Sequence, residues 1–386
     1  MWRNIASNFL TLLVVIVFLL GGVILWGQNE YTAAGPLEGP ICLPVPRGSS
    51  MRGISETLTE RGAVTSGSIF RIGVDYGDKR SLLKAGSWRI PEGSSMSEIS
   101  DIITQGGAST CGTEVVYRIG INSAEIQVRE LDPSTNKFVE RVAFGAGEEQ
   151  PEAYQTVRSE ADTRYRIAVA EGVTSWQIVD ALKSVDALDG DVAEVPPEGS
   201  LAPDSYEFSA GDAREEVIQA MRDKQDKILA EIWESRDTDI PLTEPYEALI
   251  LASIIEKETG IADERGQVAS VFTNRLRQGM RLQTDPTVIY GITLGEGILG
   301  RGLRQSELRR ETPYNTYVID GLPPTPIANP GRDSIEAAVQ PPDTGFIFFV
   351  AKSLNPRDGH LFAATLDEHN ANVAAYRALE RAQGDQ

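Results

Sequence analysis

Leu249-Ile250-Leu251-Ala252-Ser253-Ile254-Ile255-Glu256-Lys257-Glu258-Thr259-Gly260 is an almost wholly apolar run that closes on two glutamates. Wound as a helix at ~100° per residue, it leaves Ser253 and Lys257 as its one polar arc, with Ile255 opposite. Glu258 then lies about 60° from Ile255, between Leu251 and Ile254, and Glu256 lies about 100° away beside Leu249 and Ala252. A carboxylate set among buried aliphatics loses the solvation of its charged form, so its pKa rises and it can hold a proton near neutral pH. A general acid needs that property. The pattern leaves equally open a helix end at which Glu256 or Glu258 points to water past the last turn.

Around this run the periodicity predicts helices over 213–234, 245–259 and 264–278, the last closed by Gly279 and turning Val268, Val271, Phe272 and Leu276 inward. GFIFFVAK (345–352) reads as a buried strand and 367–382 as a closing amphipathic helix. GLPPTPIANPG (321–331) holds four prolines and reads as an ordered, non-regular loop. These elements make 200–386 a mixed α and β domain.

Upstream, three stretches share a pattern: PRGSSMRGISETL from Pro46, PEGSSMSEISDII from Pro91 and AEGVTSWQIVDAL from Ala170. Each has a glycine (48, 93, 172), an apolar residue six further on (Ile54, Ile99, Ile178) and another four later (Leu58, Ile103, Leu182). That spacing marks one face of a short helix. Ser95 with Glu98, and Thr174 with Gln177, read as capping boxes, a device the first copy lacks because Gly53 occupies the partner position. Residues 44–108 thus read as a small domain with two such helices, joined by segments that include 69–74 and 88–90. Between 113 and 166 lie three strand-like runs (115–121, 125–131, 138–144), a turn at 132–136, and an acidic stretch at 145–162 expected as a surface loop.

Residues 9–26 are apolar except for Thr11, and ~27 Å of helix is enough to cross a thin bilayer core. Arg3 and the amino terminus before it, against Glu30 and Glu38 after it, point to a cytoplasmic N-terminus. An uncleaved anchor is favoured over a signal peptide, whose apolar core is shorter and leads directly into a small-residue cleavage site. The remainder then lies outside the cytoplasm. A net charge of −20 with scattered basic residues makes nucleic acid a poor partner. Cys42 and Cys111 are the only cysteines; an oxidising compartment permits a disulfide between them, and two free buried thiols remain the alternative.

Several chemistries are set aside. The chain has two histidines, His360 and His369, both near its end, and no H-E-x-x-H, which disfavours a zinc amidase or metalloprotease. Ser81-Leu82-Leu83-Lys84 matches S-x-x-K but lacks its S-D-N and K-T-G companions, and no G-x-S-x-G elbow or phosphate-binding glycine loop occurs. Carboxylate chemistry is left, with Glu258 the acid. Candidates to line its cleft are Gln283 and Asp285 in LQTDPT (282–287), and Tyr314 and Asn315 in YNTY (314–317); for each, a turn or cap role is an equal alternative.

The block ASIIEKETGIADERGQVASVFTNRLRQGMRLQTDPTVIYG (252–291) closely resembles the endolytic murein transglycosylase family (MltG, YceG-like). YNTY, GLPPTPIANPG, FVA (349–351), GHLF (359–362) and EHN (368–370) follow in the family's order; LLKAGSWRIPEGSSMSEI and GSLAPDSYEF (199–208) resemble its LysM-like region and the start of its catalytic domain. The resemblance implies an α+β fold class organised as a short cytoplasmic tail (1–8), a transmembrane helix (9–26), a linker (27–43), a LysM-like domain (44–109), a β-rich acidic insert (110–166), a connecting repeat unit (167–199) and a catalytic domain (200–386). The insert is absent from many members, and the two cysteines are not part of the family pattern.

The family's catalytic glutamate, the second of E-K-E-T, maps to Glu258. The implied substrate is the glycan strand of peptidoglycan, cut internally between MurNAc and GlcNAc to leave 1,6-anhydroMurNAc, with Glu258 as general acid and then general base. Gln283, Asp285 and Asn315, with Tyr314 and His360, are the residues expected to bind and orient the sugar. No metal or organic cofactor is implied. Peptidoglycan synthases, including penicillin-binding proteins, are the implied partners, and the bacterial inner membrane the implied location. Two rival readings remain: a muramidase using Glu258, Asp285 and water, for which two carboxyl groups about 5–9.5 Å apart are the usual requirement, and a non-catalytic glycan-binding scaffold.

Overall fold

A computed structural model describes residues 2–46, 48–105, 110–158 and 163–384. Met1, Arg47, and parts of the expected insert and of the stretch between repeats (159–162 and 106–109) lie outside the described residues. The chain is α+β and divides into two compact units: Met1–Val115 with Gln127–Ala143 and Glu149–Arg164, and Val116–Ile126 with Phe144–Glu148 and Tyr165–Gln386.

The first unit begins with α1 (Trp2–Thr32), a single helix that continues through positions expected as a cytoplasmic tail and a linker. Its Leu12–Thr32 stretch is long and apolar enough to cross a membrane. There follow β1 (Ile41–Val45), α2 (Met51–Glu60), α3 (Gly67–Tyr76), a 3-10 turn Arg80–Leu82, β2 (Gly86–Ile90) and α4 (Met96–Gln105). β1 and β2 pair antiparallel, Leu43 opposite Trp88, over a core of Leu58, Phe70, Val74, Ile90, Ile99 and Ile103. The capping geometry is local chemistry: Ser95 Oγ accepts from Glu98 N–H while Ser95 N–H donates back to the Glu98 carboxylate. Ser50 does half of this, accepting from Gly53 N–H at 3.2 Å, so the first repeat lacks only the reciprocal arm. Residues 69–74, expected as a connection, belong to α3, because Ser66 caps it and Phe70 and Val74 supply an i,i+4 buried face. Cys42 and Cys111 form a disulfide with Cα atoms 5.5 Å apart, which decides between the two thiol alternatives.

β3 (Thr113–Ile119), β4 (Ala124–Asp132), β5 (Lys137–Gly145), α5 (Glu152–Arg158), β6 (Arg164–Val169), α6 (Ser175–Lys183) and β7 (Ser205–Phe208) come next, and the five strands order as β5-β4-β3-β6-β7. The surface loop expected over 145–162 contains α5 instead; Tyr154, wholly buried, fastens it, a single aromatic being enough to order an otherwise polar segment.

In the second unit α7 (Arg214–Glu234), α8 (Pro245–Glu258), α9 (Ala262–Arg277), α10 (Asp285–Thr293), α11 (Gln305–Leu308) and α12 (Arg332–Val339) precede a hairpin of β8 (Phe348–Ala351) and β9 (His360–Ala363), and α13 (Leu366–Gly384) closes the chain. α8 is the axis: every residue from Ala248 to Ile255 is buried, and α7, α9, α10 and α12 pack around it. A helix apolar on all sides belongs in a core, and each fully buried Leu or Ile contributes about 1.5–3 kcal/mol. Of the polar arc, Ser253 is buried too, its Oγ accepting the Ile327 N–H and donating to Ile250 O, while Lys257 is half-buried. The strand expected over 345–352 is shorter and only half-buried, because it pairs with β9 alone in a two-stranded hairpin.

Replacing Cys42 and Cys111 by serine opens a loop that spans 69 residues. The expected cost is about 2–4 kcal/mol of the first unit's stability, read as a shift in denaturant midpoint without reductant; an unchanged midpoint contradicts the bond.

Candidate active site

Three consecutive side chains at the end of α8 part company. Glu256 accepts the N–H of Gly331, the N-cap residue of α12, at 2.9 Å. Lys257 Nζ donates to Gly172 O at 3.2 Å. Glu258 turns to a third side, where Thr284 Oγ1 donates to its Oε1. Thr259 ends the helix in an extended conformation. The two glutamates, which the helical wheel sets about 100° and 60° from Ile255, have distinct partners, Glu256 fixing a neighbouring helix and Glu258 closing a polar cluster.

The Glu258 carboxyl is surrounded by protein although part of the residue's surface stays open. Burial pushes its pKa above the usual 4.5; the Thr284 hydroxyl lowers it, the Asp285 carboxylate raises it, and His360 and Arg275 lower it again. The removal of water wins. Of the alternatives in the sequence, the splayed, solvated carboxylate is therefore not the one adopted.

Two loops hold this arrangement. Thr284 N–H donates to Thr316 Oγ1 at 3.1 Å, Gln283 N–H to Thr316 O at 3.1 Å, and the Thr287 and Thr316 hydroxyls lie 2.9 Å apart. The hydroxyl that reaches Glu258 is thereby aimed from behind. Gln283 reaches these bonds with φ +52°, a left-handed backbone that costs a non-glycine residue about 1–2 kcal/mol. Its side chain is exposed, as is that of Asp285, whose carboxylate accepts the Tyr317 hydroxyl at 2.6 Å. Burial, that bond and the nearby carboxylates together push the Tyr317 phenol up.

The other expected ligand residues sit differently. Asn315 is wholly buried, its amide donating to Glu307, Leu308 and Arg310 carbonyls and accepting Tyr317 N–H at 3.0 Å. This corrects the expectation of a direct sugar contact: no part of the amide is left to meet one, and the residue fastens the loop. Tyr314 is half-buried with its ring 5.0 Å from Tyr290 and its hydroxyl 2.9 Å from Thr325 Oγ1, on the wall rather than at the carboxyl. His360 lies within the electrostatic reach of Glu258, and its Nδ1 is 2.7 Å from Glu264 Oε1.

Glu264 and Arg275 were not singled out from sequence. Glu264 takes three donors, Thr259 Oγ1 at 2.6 Å, His360 N–H at 2.9 Å and His360 Nδ1; burial pushes its carboxyl up, but these bonds prevail and leave it below the usual range. Arg275 is buried, donating to Leu282 O and Ile347 O, both at 2.7 Å, with its guanidinium 5.4 Å from the Phe348 ring. The signal for Arg275 was present: it falls on the same helical face as Val268, Val271 and Phe272, where a charge has to be partnered.

Beyond Lys257 lies a cavity of about 310 Å³, lined in part by Lys257, Pro286, Ile289, Tyr290 and Thr174. Below it Glu198 accepts Ser175 N–H at 2.8 Å, Asn329 Nδ2 at 3.3 Å and Tyr290 OH at 3.3 Å. Burial outweighs these bonds and pushes its pKa to about 7. Among the described residues no cluster of three or more His, Cys, Asp or Glu is placed to hold a metal ion.

The YceG-like family model matches residues 141–375, which contain every residue of this cluster. The chain belongs to the YceG-like family. An endolytic murein transglycosylase of Bacillus subtilis is 39% identical over 183 residues, 47% of this chain and 48% of that protein. One of Streptococcus pneumoniae strain D39 is 25% identical over 346 residues, 87% of this chain and 58% of that protein. This YceG-like chain therefore spans about half the length of the curated relatives it matches. A crystal structure of a yceG-like protein from Listeria monocytogenes, 26% identical, covers 86% of this chain and 98% of that one with a TM-score of 0.45.

Because Gln283 already occupies a left-handed conformation, Gln283→Gly is expected to stay within about 1 kcal/mol of the parent stability, strain relief offsetting the entropy of glycine. Gln283→Val is expected to lose about 1–2 kcal/mol or more, since a β-branched residue tolerates that backbone least. Chemical denaturation of the two variants measures the difference, and equal midpoints contradict it.

Proposed function

We propose that this chain is a membrane-anchored lytic transglycosylase that cuts peptidoglycan glycan strands internally, with Glu258 as its acid and base. The supporting observation is the Glu258 carboxyl, raised in pKa by burial and held by Thr284 within a cluster of sugar-competent polar groups. Its relatives in Bacillus subtilis and Streptococcus pneumoniae are named for an activity of the same kind.

In this reading Glu258, protonated, donates to the oxygen of a MurNAc–GlcNAc bond as that bond breaks. The oxocarbenium-like carbon is attacked by the C6 hydroxyl of the same muramyl sugar, and the carboxylate just formed removes the hydroxyl proton. A C–O bond is lost, another is gained, the proton returns to Glu258, and no water is consumed. One carboxyl serves both steps because the nucleophile is carried by the substrate, whereas hydrolysis calls on a second carboxylate. Gln283 and Asp285, exposed beside the acid, are placed to bond sugar hydroxyls. Arg275 and the His360–Glu264 pair would steady the carboxylate in the second half of the cycle. The cavity beyond Lys257 offers room for the strand to continue.

α1 is read as a single span with the N-terminus in the cytoplasm and the chain after α1 in the periplasm of an inner membrane, close to newly made strands. The repeat region 44–109 is read as a LysM-like glycan-holding module, and peptidoglycan synthases, penicillin-binding proteins among them, as partners.

Purified sacculi treated with the chain are expected to yield 1,6-anhydroMurNAc ends by mass spectrometry, and Glu258→Gln to slow their release by about 100-fold or more. Since the protonated form acts first, activity should fall as pH rises through the elevated pKa of Glu258, with the limb above the ordinary 4.5. Reducing ends one water heavier would indicate a muramidase; undiminished release by Glu258→Gln would remove this residue from the mechanism and favour a scaffold.

A further inference from the structure

α1 does not end in a flexible tether. Tyr31, in its last turn, donates its hydroxyl to Ser100 Oγ on α4 at 2.9 Å, and Glu30 accepts the Thr65 hydroxyl at 2.5 Å just before α3. The Tyr31 ring lies so close to Gly73 of α3 that a Cβ there would sit 2.2 Å from a ring carbon. Gly35 is equally confined, a Cβ there meeting Ser94 O at 2.1 Å. A helix rises ~1.5 Å per residue, so Tyr31 stands only about 7.5 Å beyond Trp26 along α1. The headgroup layer on each side of a bilayer is ~5–8 Å deep. With α1 as the span proposed above, the part of α3 that touches Tyr31 is held at the depth of the lipid headgroups.

The surface of α3 suits that position. Among the described residues from 33 to 105, the exposed large hydrophobics are Ile72 at 68%, Tyr76 at 87% and Leu82 at 48%, all on α3 or the 3-10 turn after it. Around α3, Ile72 and Tyr76 lie about 100° and 60° to one side of Gly73, while the buried Val74 and Phe70 lie by the same angles to the other. The apolar strip therefore borders α1 and is not turned into the core. Basic residues accompany it: between 71 and 84 the chain carries Arg71, Lys79, Arg80 and Lys84 against Asp75 and Asp78, a local excess of positive charge in a chain of net −20. Lys79 and Arg80 have carboxylate partners at 2.6 and 2.8 Å, but Arg71 is held by the Ser55 and Ser68 hydroxyls, which leave its charge uncompensated, and Lys84 is exposed.

We propose that this face, Ile72, Tyr76 and Leu82 with Arg71 and Lys84, docks on the surface of the same bilayer that α1 crosses and takes anionic lipid headgroups. It rests on the reading of α1 as a membrane span. An apolar strip flanked by cations on a helix tied to a span is the composition of an interfacial helix, and the docking sets the first unit's tilt and height above the membrane.

The test uses the full chain in vesicles containing phosphatidylglycerol, with lipids brominated near the headgroup end of the acyl chain as quenchers. Tyr76→Trp adds one indole at a site too exposed for the change to disturb folding. About half of the added emission is expected to be lost to the brominated lipid, and less in vesicles of phosphatidylcholine alone. Arg71→Gln combined with Lys84→Gln should reduce that dependence on anionic lipid. If the native indoles, Trp26 included, are quenched and the added emission of Tyr76→Trp is not, the span stands and the docking is overturned, leaving the strip for a protein partner. If neither is quenched, the span itself is wrong and the docking falls with it.

Discussion

A carboxyl group placed at the last turn of a helix that has no solvated face is the constraint around which the second unit is arranged. α8 can be apolar on every side only because α7, α9, α10 and α12 enclose it, and the same enclosure strips water from whatever polar group its end carries. At Glu256 and Lys257 the loss is offset locally, by the Gly331 N–H and the Gly172 carbonyl. At Glu258 the Thr284 hydroxyl, His360 and Arg275 stand against burial and the Asp285 carboxylate, burial prevails, and the neutral form is favoured relative to an exposed glutamate. An unpartnered buried charge is among the costliest features a core can contain, so the surrounding groups are better understood as limiting that cost than as decoration.

Part of that surround comes from segments without regular structure. The 282–284 and 312–331 segments are ordered by side chains: Thr316 braces Thr284, Asn315 gathers three carbonyls, and Asn329 bonds Val173, Ser175 and Glu198. Buried amides used in this way replace the hydrogen bonds that a helix or strand would supply. The left-handed Gln283 is the visible cost of bringing Thr284 to the carboxyl. Arg275 and His360, the latter bonded to Glu264, act on Glu258 in the opposite sense to burial, favouring its charged form.

The sequence made α8 and the burial of Glu258 legible because burial on all sides leaves an unbroken apolar pattern, and the helical wheel separated Glu258 from Lys257 by geometry alone. It placed Glu258 nearer the buried pole than Glu256, but could not give Glu256 its partner, the Gly331 N–H, brought near from 75 residues downstream. Asn315 illustrates the opposite error: a polar residue in a loop suggests ligand binding, and only the fold reveals that its bonds are all internal. The hairpin strand Phe348–Ala351 looked like a fully buried strand because four apolar residues in a row carry no information on how many neighbours a strand has. α5 was hidden for a related reason, its one core residue, Tyr154, being too little to create a period. The capping boxes at Ser95 and Thr174 were readable because both partners lie within one turn. Contacts within a turn are written in the sequence; contacts between distant loops are not.

The proposed chemistry depends on the protonation state of one side chain, and that state can be observed directly. Glutamate-selective carbon-13 labelling, with the Glu258→Gln variant to assign the signal, gives the carboxyl titration of Glu258 in the intact chain. The predicted result is a midpoint clearly above 4.5, the ordinary value for glutamate, moving further up when Thr284 is replaced by valine. A midpoint at or below 4.5, unaffected by Thr284, would mean that burial does not hold the proton, and the proposed acid would lose its physical basis.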